Sequence, residues 1–158
     1  MLFEFIIGYY VFTFQQYVLH RFQHVYKKYK THVLQHHGSY DRRDITLVLK
    51  ENSLYQNTDL YLYGNIGCIM INYQYFDIYV LLFQLYIGYL SYYIHNQFHT
   101  TCCKYSYKCS CKYIYLHHNP FFTKLQYLHT IHHMKPNKNY FIVDPTFDIL
   151  FGTFCSSI

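Results

Sequence analysis

Twelve histidines stand in this chain, and none stands alone. They fall into five groups: His20 and His24; His32, His36 and His37; His95 and His99; His117 and His118; His129, His132 and His133. On a helix, residues three or four apart share a face. His20/His24, His32/His36, His95/His99, His129/His132 and His129/His133 all have that spacing, so each helical face offers two imidazoles to a common point. A single such pair is as well explained by a titrating surface or a satisfied core. Five groups in a greasy chain are not, because a buried imidazole needs a partner, water or a metal. Neutral imidazole suits zinc, copper, iron and nickel. One structural zinc takes about four ligands and a catalytic one about three. This many clustered histidines exceed one ion and fit two. Carboxylates are scarce nearby: only Asp41 and Asp44 lie close to a histidine group in sequence, so a two-histidine, one-carboxylate iron site is not what is offered. Cys102, Cys103, Cys109 and Cys111 form a second cluster. Their adjacent pair and C-x-C spacing differ from the C-x-x-C knuckles of zinc sites.

The elements that position these groups are greasy. Of the 158 residues 52% are hydrophobic and only 13% charged, with 22 Tyr and 14 Phe. Soluble domains carry about 25% charged residues. The formal charge of +5 invites a nucleic-acid reading, but the distribution opposes it. All 13 Lys and Arg fall between Arg21 and Lys50 or between Lys104 and Lys138. Basic blocks alternating with uncharged apolar segments suit a membrane protein with cytoplasmic basic faces. The N-terminal apolar stretch begins without a basic n-region, so no cleavable signal is expected and the cysteines are expected reduced.

Residues 2–19 make an apolar stretch of about one membrane span. Residues 60–94 read as a helical hairpin, with Asn72 to Asp77 as its polar turn. If both arms go in and out, residues 21–58 and 95–158, and with them Arg42, Lys104 and the histidines, end on one side. Residues 100–116 read as a polar loop, and 121–133 as a helix beginning after Pro120. Residues 139–153, with Pro145 and Gly152, read as a turn followed by a short helix. No repeat or linker divides the chain. The expected fold is all-α: a single domain over 1–158, a helical integral membrane bundle capped by a cytosolic histidine-rich metal-binding region, with boxes over 20–37, 95–99 and 117–133.

The ordered blocks resemble the fatty acid hydroxylase and sterol desaturase superfamily. YVLHRFQHVYKKYKTHVLQHHGSYD, residues 17–41, is similar to its H-x-x-x-H box followed by H-x-x-H-H. His20 and His24 match the first box; His36 and His37 match the second, with His32 one residue out of register. GYLSYYIHNQFHT resembles the helix end that carries H-x-x-x-H, at His95 and His99, with His118 a further candidate. LHTIHHMKPNKNYFIVDPTFDILFGT resembles the terminal box followed by N-Y and then W-D-x-x-F-G-T. There His129, His132, His133, Asn139, Tyr140, Asp148, Phe151, Gly152 and Thr153 match, and Phe147 replaces the Trp. The resemblance covers roughly residues 9–153. It implies a membrane oxidoreductase of lipid metabolism with a dinuclear iron centre (zinc is the alternative metal as purified), dioxygen as co-substrate and a cytochrome b5-type electron donor. It implies hydroxylation or desaturation of a fatty acyl chain or ceramide, with a sterol desaturase or C4-methyl oxidase as the enzymatic alternative. The implied location is the endoplasmic reticulum or an equivalent membrane. A catalytically decayed metal-binding membrane protein is the other reading. Asp148 is the acid expected to accept an N–H from one of the last histidines, a helix N-terminal cap being the alternative.

Overall fold

The computed structural model describes residues 2–26, 32–43, 46–49, 59–99 and 119–157. Helix α1, Leu2–Val25, is unbroken and about 36 Å long at 1.5 Å per residue. It runs past the apolar stretch, so His20 and His24 sit on its last turns. Helices α2, Asp59–Asn72, and α3, Ile78–Phe98, form the expected hairpin. The turn between them ends on Asp77, whose carboxylate caps α3 by accepting from the Val80 amide at 3.0 Å. Helix α4, Pro120–Met134, starts as its sequence dictates. Pro120 occupies the first turn, where no amide donor is needed, and Asn119 accepts from the Phe121 and Phe122 amides. Helix α5, Thr146–Leu150, is the short element after Pro145.

The described fold is all-α as expected, with two local features between α1 and α2, of which only a short strand pair is not helical. His32–His36 forms a π-helical turn and His37–Ser39 a 3₁₀ turn. Strands β1, Tyr40–Arg43, and β2, Thr46–Leu49, then pair antiparallel, with Tyr40 opposite Leu49 and Arg43 opposite Thr46. The Thr-Leu-Val-Leu run suits a strand, and at four residues it is too short to show a helical period.

Helices α1, α2 and α3 pack on one another. Their contact is close: a Cβ at Gly8 of α1 would lie 2.4 Å from Val80 Cγ1 of α3. Carboxamides stitch the interface. Gln15 and Asn72 exchange hydrogen bonds of 2.8 and 2.9 Å, Asn72 donates to Gln84, and Gln84 donates to the Gly8 carbonyl. Gln16 donates to Asn65, which donates to the Gly88 carbonyl. The buried amides of Asn65, Asn72 and Gln84 are thereby matched, as burial demands. The opposite faces are apolar and open: Phe3, Ile6, Phe14 and Val18 of α1, Met70 and Ile71 of α2, and Tyr79, Leu82, Leu85 and Tyr86 of α3 are exposed.

The apolar core lies at the other end, where Phe98, Phe122, Leu125, Leu128, Ile131, Phe141 and Ile142 cluster under α4 and the tail. Among the described residues no helix is both long and apolar enough to cross a membrane. The apolar stretch over 2–19 and the second arm of the 60–94 hairpin have helical length, but glutamines and tyrosines dilute their hydropathy. His117, His118, Lys104 and the group Cys102, Cys103, Cys109 and Cys111 lie outside the described residues.

Candidate metal centre

Four stretches of the chain bring histidines to one place. The C-terminal turns of α1 supply His20 and His24. The turns after it supply His32, His36 and His37, the end of α3 supplies His95 and His99, and α4 supplies His129, His132 and His133. Ten of the eleven predicted ligands therefore converge, His118 being the one outside the described residues. They sort into two groups. In one, a nitrogen from each of His20, His24, His32, His37 and His132 lies within 4.8 Å of every other. In the second, the same holds for His36, His99, His129 and His133. His95 sits against this second group, with ring centroids 4.9 Å from His99 and 4.8 Å from His129.

The sorting has a simple geometric cause. Successive residues on a helix point about 100° apart. The dipeptide His132–His133 thus sends one ring to each group, and His36–His37 does the same. The two groups touch where His37 stacks on His133, at 4.0 Å between ring centroids.

Backbone carbonyls set the protonation of two rings. His20 Nδ1 lies 2.6 Å from the Tyr140 carbonyl, and His132 Nδ1 lies 2.6 Å from the Lys138 carbonyl. A carbonyl only accepts, so each Nδ1 carries the proton and each Nε2 keeps its lone pair. His132 Nε2 is buried and has no hydrogen-bond partner among the described residues; both nitrogens of His24 share that condition. An unmatched buried acceptor is costly, and a cation at this point would satisfy it. Nitrogens also face nitrogens: His20 Nε2 is 3.1 Å from His32 Nε2, and His129 Nε2 is 3.0 Å from His99 Nε2. Ligands about 2.0–2.1 Å from one ion stand roughly 2.8–3.4 Å apart for bond angles between square and tetrahedral. The donor set thus fits metal ions.

Electrostatics favour the same state. Burial lowers the His20 pKa to about 4 and the His36 pKa to about 3. His24 falls to about 2, by burial and then by the neighbouring His20 and His36. For His32, His37, His99, His129, His132 and His133 burial again leads, with the other imidazoles adding to it. Neutral imidazole is the ligating form.

The tail holds the first group in place. Asn139 adopts a left-handed conformation, φ 53°, which reverses the chain after α4. Its carboxamide donates to the Leu128 and Cys155 carbonyls and accepts from the Cys155 amide. Tyr140 then reaches back over α1, its ring against His20, His24 and His132. Asp148 acts differently from the expectation that it would accept an imidazole N–H. Its buried carboxylate accepts from the Tyr140 and Phe141 amides, each at 2.9 Å, and from Thr153 Oγ1 at 2.6 Å. It fixes the peptide whose carbonyl holds His20, one bond further from the ring. The backbone partners of His20 and His132 were not legible in the sequence, since any residue supplies a carbonyl.

Comparison with known proteins finds no matching family model, no similar curated protein and no similar solved structure.

Proposed function

We propose that this chain is a histidine-ligated, dinuclear metal oxidoreductase that hydroxylates or desaturates a lipid at a membrane. One observation carries the reading: two adjoining groups of imidazole nitrogens, each gathered within 4.8 Å, with the His20 and His132 lone pairs of the first turned inward by backbone hydrogen bonds. Two redox-active ions, iron by the resemblance of the boxes, would supply the dioxygen activation that attack on an unactivated C–H bond requires. His20, His24, His32, His37 and His132 would hold one, and His36, His99, His129 and His133 the other, with His95 beside it. The Tyr140 and Lys138 carbonyls would orient His20 and His132, and such partners typically matter about 10–100-fold in affinity or activity. Tyr140 and the aromatic rings around it would limit water at the first site. The apolar outer faces of α1, α2 and α3 support the lipid side of the proposal, because a contiguous exposed apolar surface marks a membrane or partner contact.

The same all-imidazole donor set would also hold zinc, which supports a second reading, a non-catalytic metal-binding membrane protein. Metal analysis and oxygen uptake separate the two. Cells expressing the intact chain should accumulate a hydroxylated or desaturated lipid that is missing with a His132→Ala, His133→Ala double variant. Purified protein should contain iron and consume oxygen when given a reductant and lipid. Zinc content with no oxygen uptake and no lipid change would overturn the oxidoreductase reading in favour of the second.

A further inference from the structure

A groove with no histidine among its lining residues runs along the outer face of α1. It encloses about 430 Å³, within the range of about 300–1,000 Å³ usual for small-molecule sites. Phe14, Val18, Phe22, Val25 and Phe151 form its apolar walls, and Arg21 is the charged residue in its lining. Most of these walls are open: Phe14 is 39% exposed, Val25 60% and Phe151 47%. A second groove of about 330 Å³, almost wholly apolar, lies on the other side of the same ridge and shares Phe14 and Val18 with the first. Together they follow α1 from its apolar middle to its cationic end.

Arg21 is placed to receive something. Its Nη1 donates to the Tyr17 hydroxyl at 3.2 Å, which holds one edge of the guanidinium against the groove wall. An arginine has five N–H donors in a planar fork suited to carboxylate or phosphate. Asp148 is an acid whose charge it feels, but the oxygens of that buried carboxylate are already engaged by two amides and Thr153. The groove floor, Tyr17, separates this place from the metal centre. Tyr17 stacks on Phe151 at 5.4 Å and meets Tyr140 edge-on at 5.7 Å, and Tyr140 in turn covers His20 and His24.

We propose that the α1 groove is a seat for an anionic single-chain amphiphile, its headgroup on Arg21 and its chain along Phe14 and Val18, distinct from the histidine centre. Charge complementarity selects the occupant. A neutral chain brings no negative charge to the guanidinium, and a small anion leaves the apolar walls exposed. The seat stands whether or not the histidines carry a metal.

Equilibrium binding of radiolabelled oleate and of oleyl alcohol to the purified full chain tests this. The native chain should prefer oleate. Arg21→Gln should weaken oleate by about tenfold or more, the worth of a charged hydrogen bond, and leave oleyl alcohol unchanged. Arg21→Lys should keep most of the oleate affinity. Val18→Trp, which fills the groove without touching the charge, should weaken both ligands, and millimolar acetate should displace neither. Metal content of both groove variants should equal that of the native chain, which separates this result from any failure of the metal reading. Equal binding of oleate and oleyl alcohol by the native chain would overturn the proposal. So would oleate binding that survives Val18→Trp, or displacement of oleate by acetate.

Discussion

His132 and His133 are neighbours in the chain but belong to different nitrogen groups, and so do His36 and His37. If each group holds one ion, each dipeptide spans both ions, and single substitutions should sort by site rather than by sequence position. His132→Ala should remove about one ion per chain, and His133→Ala about one. Adding His37→Ala to His132→Ala should cost no further ion, whereas the His132→Ala, His133→Ala pair should remove both. Elemental analysis of the purified variants checks this; a pair that loses no more than either single change would refute the sorting. Asp148 carries a second expectation at this scale. Asparagine there keeps one acceptor but turns an N–H₂ toward an amide N–H, so one of the two backbone contacts is lost. An unmatched buried donor costs about 1–3 kcal/mol. The Asp148→Asn protein should melt earlier and hold less metal at the His20 group, because the Tyr140 carbonyl loses its anchor. Unchanged melting and full metal content would show that the carboxylate is dispensable.

Helices α1 and α3 are set by small residues and carboxamides as well as by apolar packing such as Phe12 against Gly88 and Phe5 against Phe83. Gly8 lets α1 approach Val80 so closely that any side chain must displace it. Overpacking of this kind typically costs about 1–3 kcal/mol. Gly8→Ala should therefore lower the melting temperature, and adding Val80→Ala should recover part of the loss. If Gly8→Ala melts like the native chain, the helices are not held at the described separation. The consequence reaches the metal centre, since α1 carries His20 and His24 while α3 carries His95 and His99. A shift between these helices moves ligands of one group relative to the other.

Across the whole molecule, polarity is divided by height. The described histidines gather at one end, while the open faces of α1, α2 and α3 present Phe, Ile, Leu, Met and Tyr. Water would penalise that surface by roughly 25 cal/mol per Å² of apolar area, and lipid would not. The carboxamide pairs between the helices suit either solvent because they are matched internally. Expressed chain should accordingly sediment with membranes and stay there through an alkaline carbonate wash. Release into the supernatant as a monodisperse monomer would refute the membrane assignment, leaving the histidine geometry untouched.

Much of this was legible in the chain itself. Helical spacing marked the histidine pairs, Pro120 and Asn119 started α4, Asn72 to Asp77 closed the hairpin, and Pro145 preceded α5; each is a local rule acting within a few residues. The β1–β2 ribbon was missed because four-residue strands carry too short a pattern. The paired amides Gln15–Asn72 and Gln16–Asn65 were missed because they join residues 57 and 49 positions apart. Composition marked the helices as greasy, yet no described helix is both long and apolar enough for a membrane crossing: α2, α4 and α5 are short, and tyrosines and glutamines dilute α1 and α3. The residue types alone determined that imidazoles would be available as ligands in pairs. Only the tertiary structure decided which imidazole joins which group, and that Asp148 holds a backbone peptide instead of a ring. Those choices depend on how α1, α3 and α4 are rotated about their axes, and rotation is fixed by packing between distant segments.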